Sequence, residues 1–276
     1  MSSQAIGVFD SGIGGLSVLN ALRAAMPHEN FIYIADSGHA PYGERDEAHV
    51  RARSRAIVQH LVRHNVKALV IACNTATAAA IALLRGEYPG LPLIGVEPAL
   101  KPAVALSQTG RIGVMATRGT LASAKFRALL AAQTGSHAHI EFIVQPCDGL
   151  AHAIEGSADS GDMTHVSALC AQYTGAMGRF GTQAGDIDTL VLGCTHYPFA
   201  SDTLRALIGP QVQLMDNGEA VARQTRRLIQ AGVQPSGAGQ RPGEVSLFTT
   251  GQPHQLQAAA WRWLGLAAGV GVLSLS

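Results

Sequence analysis

Short apolar runs rich in β-branched residues punctuate the first hundred positions: Ile6-Gly7-Val8-Phe9, Phe31-Ile32-Tyr33-Ile34, Ala68-Leu69-Val70-Ile71-Ala72 and Leu93-Ile94-Gly95-Val96. Between them lie Ala-, Leu- and Arg-rich stretches whose apolar positions fall at helical spacing, as in Leu16, Leu19, Ala21 and Leu22, or Val50, Ile57 and Leu61. Strand-like runs alternating with helical stretches predict βαβ units, because parallel neighbours need a crossover long enough to hold a helix. Asp46 stands where the second helix begins, as its predicted N-cap. Near the far end, Glu244-Val245-Ser246-Leu247-Phe248-Thr249 predicts another strand. The Gly-, Pro- and Gln-rich stretch from Gly232 to Gly243 predicts a surface loop before it, and the tail predicts a last helix ending at Gly265, then a buried strand.

The same pattern appears twice. Ile6-Gly7-Val8 recurs as Ile112-Gly113-Val114, and Ala68 to Thr75 resembles Thr189 to His196, each ending in a cysteine followed by polar residues. The period is too long for a solenoid. It predicts two similar α/β domains with mainly parallel sheets, the second beginning near residue 99 in the proline-flanked stretch Glu97-Pro98-Ala99-Leu100-Lys101-Pro102.

Composition narrows the classes. The chain has 276 residues, 47% hydrophobic and 14% charged, enough to bury a sizeable core. Twenty Lys and Arg against nineteen Asp and Glu leave a net charge of +1. That balance argues against a broad phosphate-neutralising face, hence against nucleic acid as partner, and against a polybasic membrane anchor. No stretch reaches the roughly 18 apolar residues of a membrane span, and the start shows no secretory signal pattern, so the expected location is the cytoplasm. The four cysteines lie far apart, with no C-x-x-C pair, which disfavours a disulfide set or a structural zinc site.

Cys73 and Cys194 are the first candidates for chemistry. Each ends an apolar strand and precedes a turn into a helix. In open parallel sheets ligands bind at the carboxyl ends of the strands, and a helix N-terminus there favours a thiolate. Cys147 and Cys170 lack this setting and read as structural. Asp10-Ser11-Gly12-Ile13-Gly14-Gly15 follows the first strand, but the third glycine of a dinucleotide loop is replaced by Ser17. Asp10 therefore reads as a base or orienting carboxylate, with helix N-cap as the simpler alternative. His196, two residues from Cys194, can poise that sulfur's proton. Pro41-Tyr42-Gly43 is a loop whose N–H groups could receive a carboxylate, although a plain turn explains it as well. Glu155, taken alone, reads as a solvated carboxylate near a helix end.

The ordered set Asp10-Ser11-Gly12-x-Gly14-Gly15-Leu16, Pro41-Tyr42-Gly43, Cys73-Asn74-Thr75-Ala76-Thr77, Gly95-x-Glu97-Pro98, Gly193-Cys194-Thr195-His196-Tyr197-Pro198 and Asp216-x-Gly218 resembles the cofactor-independent glutamate racemases of the aspartate/glutamate racemase superfamily. Asp46 and Asn217 are departures, the first standing where the family favours Ser or Thr and the second where it favours Ser. The resemblance implies two pseudo-twofold α/β domains, 1–98 plus 211–276 and 99–210, with the active site in the cleft between them. It implies Cys73 and Cys194 as the acid/base pair, assisted by Asp10 on one side and by His196 and Glu155 on the other. Ser11, Tyr42, Gly43, Asn74, Thr75, Thr195 and His196 would hold the substrate, glutamate. No metal or other cofactor is implied, and a homodimer is left open.

Three other functions compete. One keeps the site and changes the substrate to aspartate, hydantoin or another small carboxylate. A two-domain solute-binding module needs no paired cysteines. A cysteine hydrolase leaves the second strand-end cysteine without a role.

Overall fold

The computed structural model describes residues 4–232 and 241–275, with side chains at 231 and 232 excepted. Most of the stretch read as a surface loop, residues 233–240, lies outside the described residues, as do residues 1–3, which open the segment that shows no secretory signal pattern. The described residues of Met1–Val96 and Gly218–Ser276 form one compact unit, and Glu97–Asn217 forms a second.

The first unit begins β1 (Ile6–Asp10), α1 (Leu16–Ala25), β2 (Phe31–Ala35), α2 (Glu47–Arg63), β3 (Ala68–Ile71), α3 (Asn74–Glu87) and β4 (Leu93–Gly95). The second runs α4 (Leu100–Leu106), β5 (Arg111–Ala116), α5 (Arg118–Ala122), α6 (Ala124–Ser136), β6 (Glu141–Pro146), α7 (Leu150–Ser160), α8 (Thr164–Met177), β7 (Thr189–Gly193), α9 (Ser201–Ile208) and β8 (Gln213–Met215). The chain then returns to the first unit with α10 (Gly218–Gly232), β9 (Val245–Thr249), α11 (Pro253–Leu264) and β10 (Val270–Val272).

One sheet has the order β10-β9-β2-β1-β3-β4 and the other β6-β5-β7-β8. Every pairing in both is parallel. The α/β class and the parallel pairing expected from the sequence are therefore present twice. The repeat also holds in register: Ile6 pairs with Ala68 and Ile112 with Thr189. Cys73 and Cys194 stand equally far beyond those partners.

Central parallel strands are covered on both faces, so they read as unbroken apolar runs. All five residues of β1 and of β7 are buried. Helix α1 seats Leu16, Val18, Leu19 and Leu22, and α2 seats Val50, Ile57, Val58 and Leu61. Each such side chain contributes about 1.5–3 kcal/mol of transfer free energy. Asp46 caps α2, its carboxylate accepting from the His49 N–H at 2.7 Å. Gly193 is required by close approach: a Cβ there would lie 2.8 Å from Ala116 Cβ and 2.9 Å from the Met115 carbonyl, prising β7 off β5.

One expectation needs correcting. The tail does form a helix closed by left-handed Gly265 and then a strand. That strand, β10, is a half-exposed edge with Val272 open to solvent, because it has a neighbour, β9, on one side only. Among the described residues no helix is long and apolar enough to cross a membrane.

The start of β7 is fixed by a buried carboxylate. Asp188 accepts from Ser107 Oγ (2.6 Å), the N–H groups of Gln108 (2.6 Å) and Thr109 (2.8 Å), and Thr189 Oγ1 (3.0 Å). This ties the turn that launches β5 to the strand that carries Cys194. Burial opposes the charge, but these donors outweigh it and hold the carboxyl below its ordinary range. A depressed carboxyl stabilises the fold above its unfolded pKa of about 3.9, and the contribution is lost as pH falls through the lower folded value. Asp188→Ala leaves two backbone donors unmet and should cost about 3 kcal/mol in urea unfolding at pH 7. A loss under about 0.5 kcal/mol would remove this clamp from the account.

Candidate active site

In the first unit, parallel pairing delivers the ends of β1 and β3 to one edge. Asp10 closes β1 and Cys73 follows β3, with the Ala72 N–H donating to the Phe9 carbonyl at 2.7 Å. Asp10 is wholly buried; its Oδ1 accepts from the Ser11 N–H (2.6 Å) and the Ser11 hydroxyl (3.2 Å). Ser11 Oγ in turn lies 3.8 Å from Cys73 Sγ. With its proton on Asp10, the serine offers a lone pair to a Cys73 thiol. If Cys73 is a thiolate, the same hydroxyl can turn and donate to it.

Cys73 is also the N-cap of α3. Its backbone is extended there, and the Ala76 N–H points at Sγ from 3.5 Å, so sulfur stands where a capping oxygen usually does. The positive end of a 14-residue helix thus faces the sulfur. The glycine-rich loop holds close to it: a Cβ at Gly15 would lie 2.7 Å from Asp10 Cβ and 2.9 Å from the Tyr33 hydroxyl. Tyr33 donates to the Gly12 carbonyl at 2.7 Å. Asp10 does not cap α1; Gly15 occupies the N-cap, without a side-chain bond.

Beside Cys73, the side-chain oxygen and nitrogen of Asn74 are both buried and have no hydrogen-bond partner among the described residues. Each unmet buried polar atom costs about 1–3 kcal/mol. A ligand with donor and acceptor groups would recover that, and Thr75 is buried next to it. Tyr42 and Gly43 open a 3-10 turn, Tyr42–Glu44. The Tyr42 ring packs in the core cluster that contains Ile34, Val50 and Cys73, and its hydroxyl donates to Asp36 Oδ2 at 2.5 Å. Burial and the charge of Asp36 push the Tyr42 hydroxyl far up, so it stays protonated.

In the second unit, Cys194 leaves β7 and lies 3.7 Å from His196 Nδ1. The other ring nitrogen of His196 meets Glu155 Oε2 at 2.6 Å. Glu155 sits in the middle of α7, not near a helix end, with a side chain only 17% exposed. Burial pulls the His196 pKa down, but the bonds to Cys194 and Glu155 and their charges outweigh it, and the value rises well above the ordinary imidazole. Thr195 is buried between Cys194 and His196.

The two cysteines differ in how they are polarised. After Cys194 comes a 3-10 turn, Tyr197–Ala200, and α9 starts only at Ser201. The sequence reading of a helix N-terminus at this sulfur is therefore corrected: Cys73 has the helix, and Cys194 has the His196–Glu155 pair. Cys147, read from the sequence as lacking a strand-end setting, in fact follows β6 just ahead of α7, but it and Cys170 stay as thiols. Burial, helped by the charge of Cys194, pushes Cys147 up, and burial alone takes Cys170 to about 11.

Sequence reasoning missed Asp36 and Arg53, which lie beneath Tyr42. Asp36 is fully buried, and Arg53 reaches it through Nε (3.0 Å) and Nη2 (2.9 Å). An aspartate closing an apolar strand was the available signal, as it was for Asp10.

Comparison with known proteins gives the family. Residues 16–225 match the family model described as Asp/Glu/Hydantoin racemase. A glutamate racemase of Ectopseudomonas mendocina is 45% identical over 271 residues, 98% of each chain. Glutamate racemase isoform RacE1 of Bacillus anthracis has a TM-score of 0.84 at 31% identity, covering 100% of this chain and 99% of that one. The Escherichia coli glutamate racemase, solved with L-glutamate and the activator UDP-MurNAc-ala, has a TM-score of 0.83 at 28% identity, covering 99% of both. On a family match spanning most of the chain and a relative this similar from end to end, the chain belongs to the Asp/Glu/hydantoin racemase family.

Proposed function

We propose that this chain is a glutamate racemase that interconverts L- and D-glutamate with two cysteines and no cofactor, supplying D-glutamate for bacterial cell-wall peptide. The observation that carries the reading is the pair of strand-end sulfurs in matching frames, each in its own proton-handling setting: Ser11 and Asp10 at Cys73, His196 and Glu155 at Cys194. The names of the relatives supply the substrate.

In the proposed reaction one thiolate takes the α-proton. The Cα–H bond breaks, an S–H bond forms, and the electron pair spreads into the α-carboxylate. The opposite thiol then gives its proton to the other face of Cα and is left as thiolate. Cys73 would act on D-glutamate and Cys194 on L-glutamate. A weakly acidic α-proton demands donors aimed at the carboxylate as charge builds, each worth about 3 kcal/mol. Asn74, with both side-chain polar atoms unmet, is the strongest such candidate, with Thr75 and Thr195 beside the sulfurs. His196, whose pKa the bonds to Cys194 and Glu155 raise, would pass a proton to or from Cys194.

Purified protein, dialysed exhaustively and treated with chelator, should bring either glutamate isomer to the racemic mixture by chiral chromatography. In deuterated water the product should carry deuterium at Cα, since the returning proton comes from an exchangeable thiol. No interconversion, or activity restored only by pyridoxal phosphate, would contradict the reading.

The His196 cation has a stability signature. A raised histidine pKa contributes fully below the unfolded value of about 6.5 and is lost as pH rises through the folded value. Removing one member of a largely buried pair costs about 3 kcal/mol. Urea unfolding should therefore show His196→Gln about that much less stable than wild type at pH 6, with the gap narrowing by pH 10. A gap that widens with pH would contradict a cationic His196.

A further inference from the structure

The Tyr42 hydroxyl proton is not available to a substrate carboxylate: it is donated to Asp36. That carboxylate takes four donors and has both oxygens saturated. Oδ2 accepts from Tyr42 (2.5 Å) and Arg53 Nε (3.0 Å); Oδ1 accepts from Arg53 Nη2 (2.9 Å) and Thr250 Oγ1 (2.8 Å). Arg53 Nη1 then donates to the Leu275 carbonyl at 2.9 Å, beyond β10. The end of β2, the turn Tyr42–Glu44, helix α2, the residue after β9 and the segment after β10 thus converge on one buried carboxylate.

A buried ion pair of this kind seldom adds net stability over an apolar replacement, because desolvation offsets the attraction. What it adds is geometry, since a planar guanidinium fork fixes direction as well as distance. The element it fixes is a three-residue turn, too short to hold itself. Within that turn the N–H groups of Glu44 and Arg45 bond back to Pro41 and Tyr42. A 3-10 turn leaves its first N–H groups, those of Tyr42 and Gly43, without an acceptor of its own.

We propose that Asp36 and Arg53 are positioning residues for the racemase: they clamp the Tyr42 side chain so that the Tyr42 and Gly43 N–H groups stand ready to receive a substrate carboxylate. The clamp rests on the reading of the chain as a glutamate racemase. Its energetic effect is pre-organisation, the ordering cost being met in the free enzyme. Binding should suffer when it is cut, while proton transfer at the sulfurs continues once substrate is seated.

Steady-state kinetics with L- and D-glutamate test this on Asp36→Asn, Tyr42→Phe, the double variant and Arg53→Lys. Asp36→Asn should raise KM at least tenfold with kcat within threefold of wild type. Tyr42→Phe should raise KM to a similar degree, and the double variant no further than the larger single, because one link is cut twice. Arg53→Lys, which keeps the charge and loses the fork, should raise KM at least threefold and serves if Asp36→Asn does not fold. KM within twofold of wild type in the folded variants, effects that multiply in the double variant, or losses confined to kcat would overturn the clamp. A wild-type protein that turns over glutamate while the variants keep its KM overturns the clamp alone. A wild-type protein that does not turn over glutamate overturns the functional reading and the clamp with it.

Discussion

Parallel pairing in one register is the constraint on which the rest depends. Because β1 runs beside β3 and β5 beside β7 with their carboxyl ends together, whatever follows those strands gathers at a single edge in each unit. Asp10, Ser11, Cys73 and Asn74 are brought together in this way, and Cys194 is set out beside the helix that carries Glu155. A one-residue slip would send each strand's side chains to the opposite face. The small residues near the strand ends protect the pairing: Gly193 lets β7 lie against β5, and Gly15 lets the loop after β1 fold over Asp10.

On that shared scaffold the two sulfurs are prepared differently. Cys73 relies on fixed dipoles, the N-terminus of α3 and the Ala76 N–H, and on a serine hydroxyl that can face either way. Cys194 relies on a titratable partner whose pKa is raised by its bonds to Cys194 itself and to the half-buried Glu155. Fixed dipoles leave the proton inventory unchanged, whereas an imidazole can hold one. A two-base reaction that runs in both directions needs a thiol on one side and a thiolate on the other, and unlike settings are a physical means of keeping the two from titrating together.

How much could be read before the structure depended on distance along the chain. The strands of the first unit showed as β-branched runs, the Asp46 cap as a polar residue ahead of helical spacing, and β5 and β7 through the internal repeat of Ile-Gly-Val and a strand ending in cysteine; β6 and β8 were not read. Cys194 and His196 were visible as a pair because two residues separate them. Glu155 is 41 residues from His196, and nothing local marked it; it entered only through the family resemblance. The Asp36 network is less local still, since Thr250 lies 214 residues away and Leu275 222 from Arg53. The exposed edge at β10 escaped notice for a related reason: an apolar run shows that a strand forms, not how many neighbours it has.

The central claim is that each sulfur serves one face of the α-carbon, and separating the two half-reactions tests it most directly. A glutamate analogue with a leaving group at the β-carbon needs only the first abstraction to eliminate, so one working cysteine suffices. Cys73→Ala should still eliminate from the L-isomer and not the D-isomer, Cys194→Ala the reverse, and neither variant should racemise glutamate. A single variant that eliminates from both isomers, or that still racemises, would contradict the account.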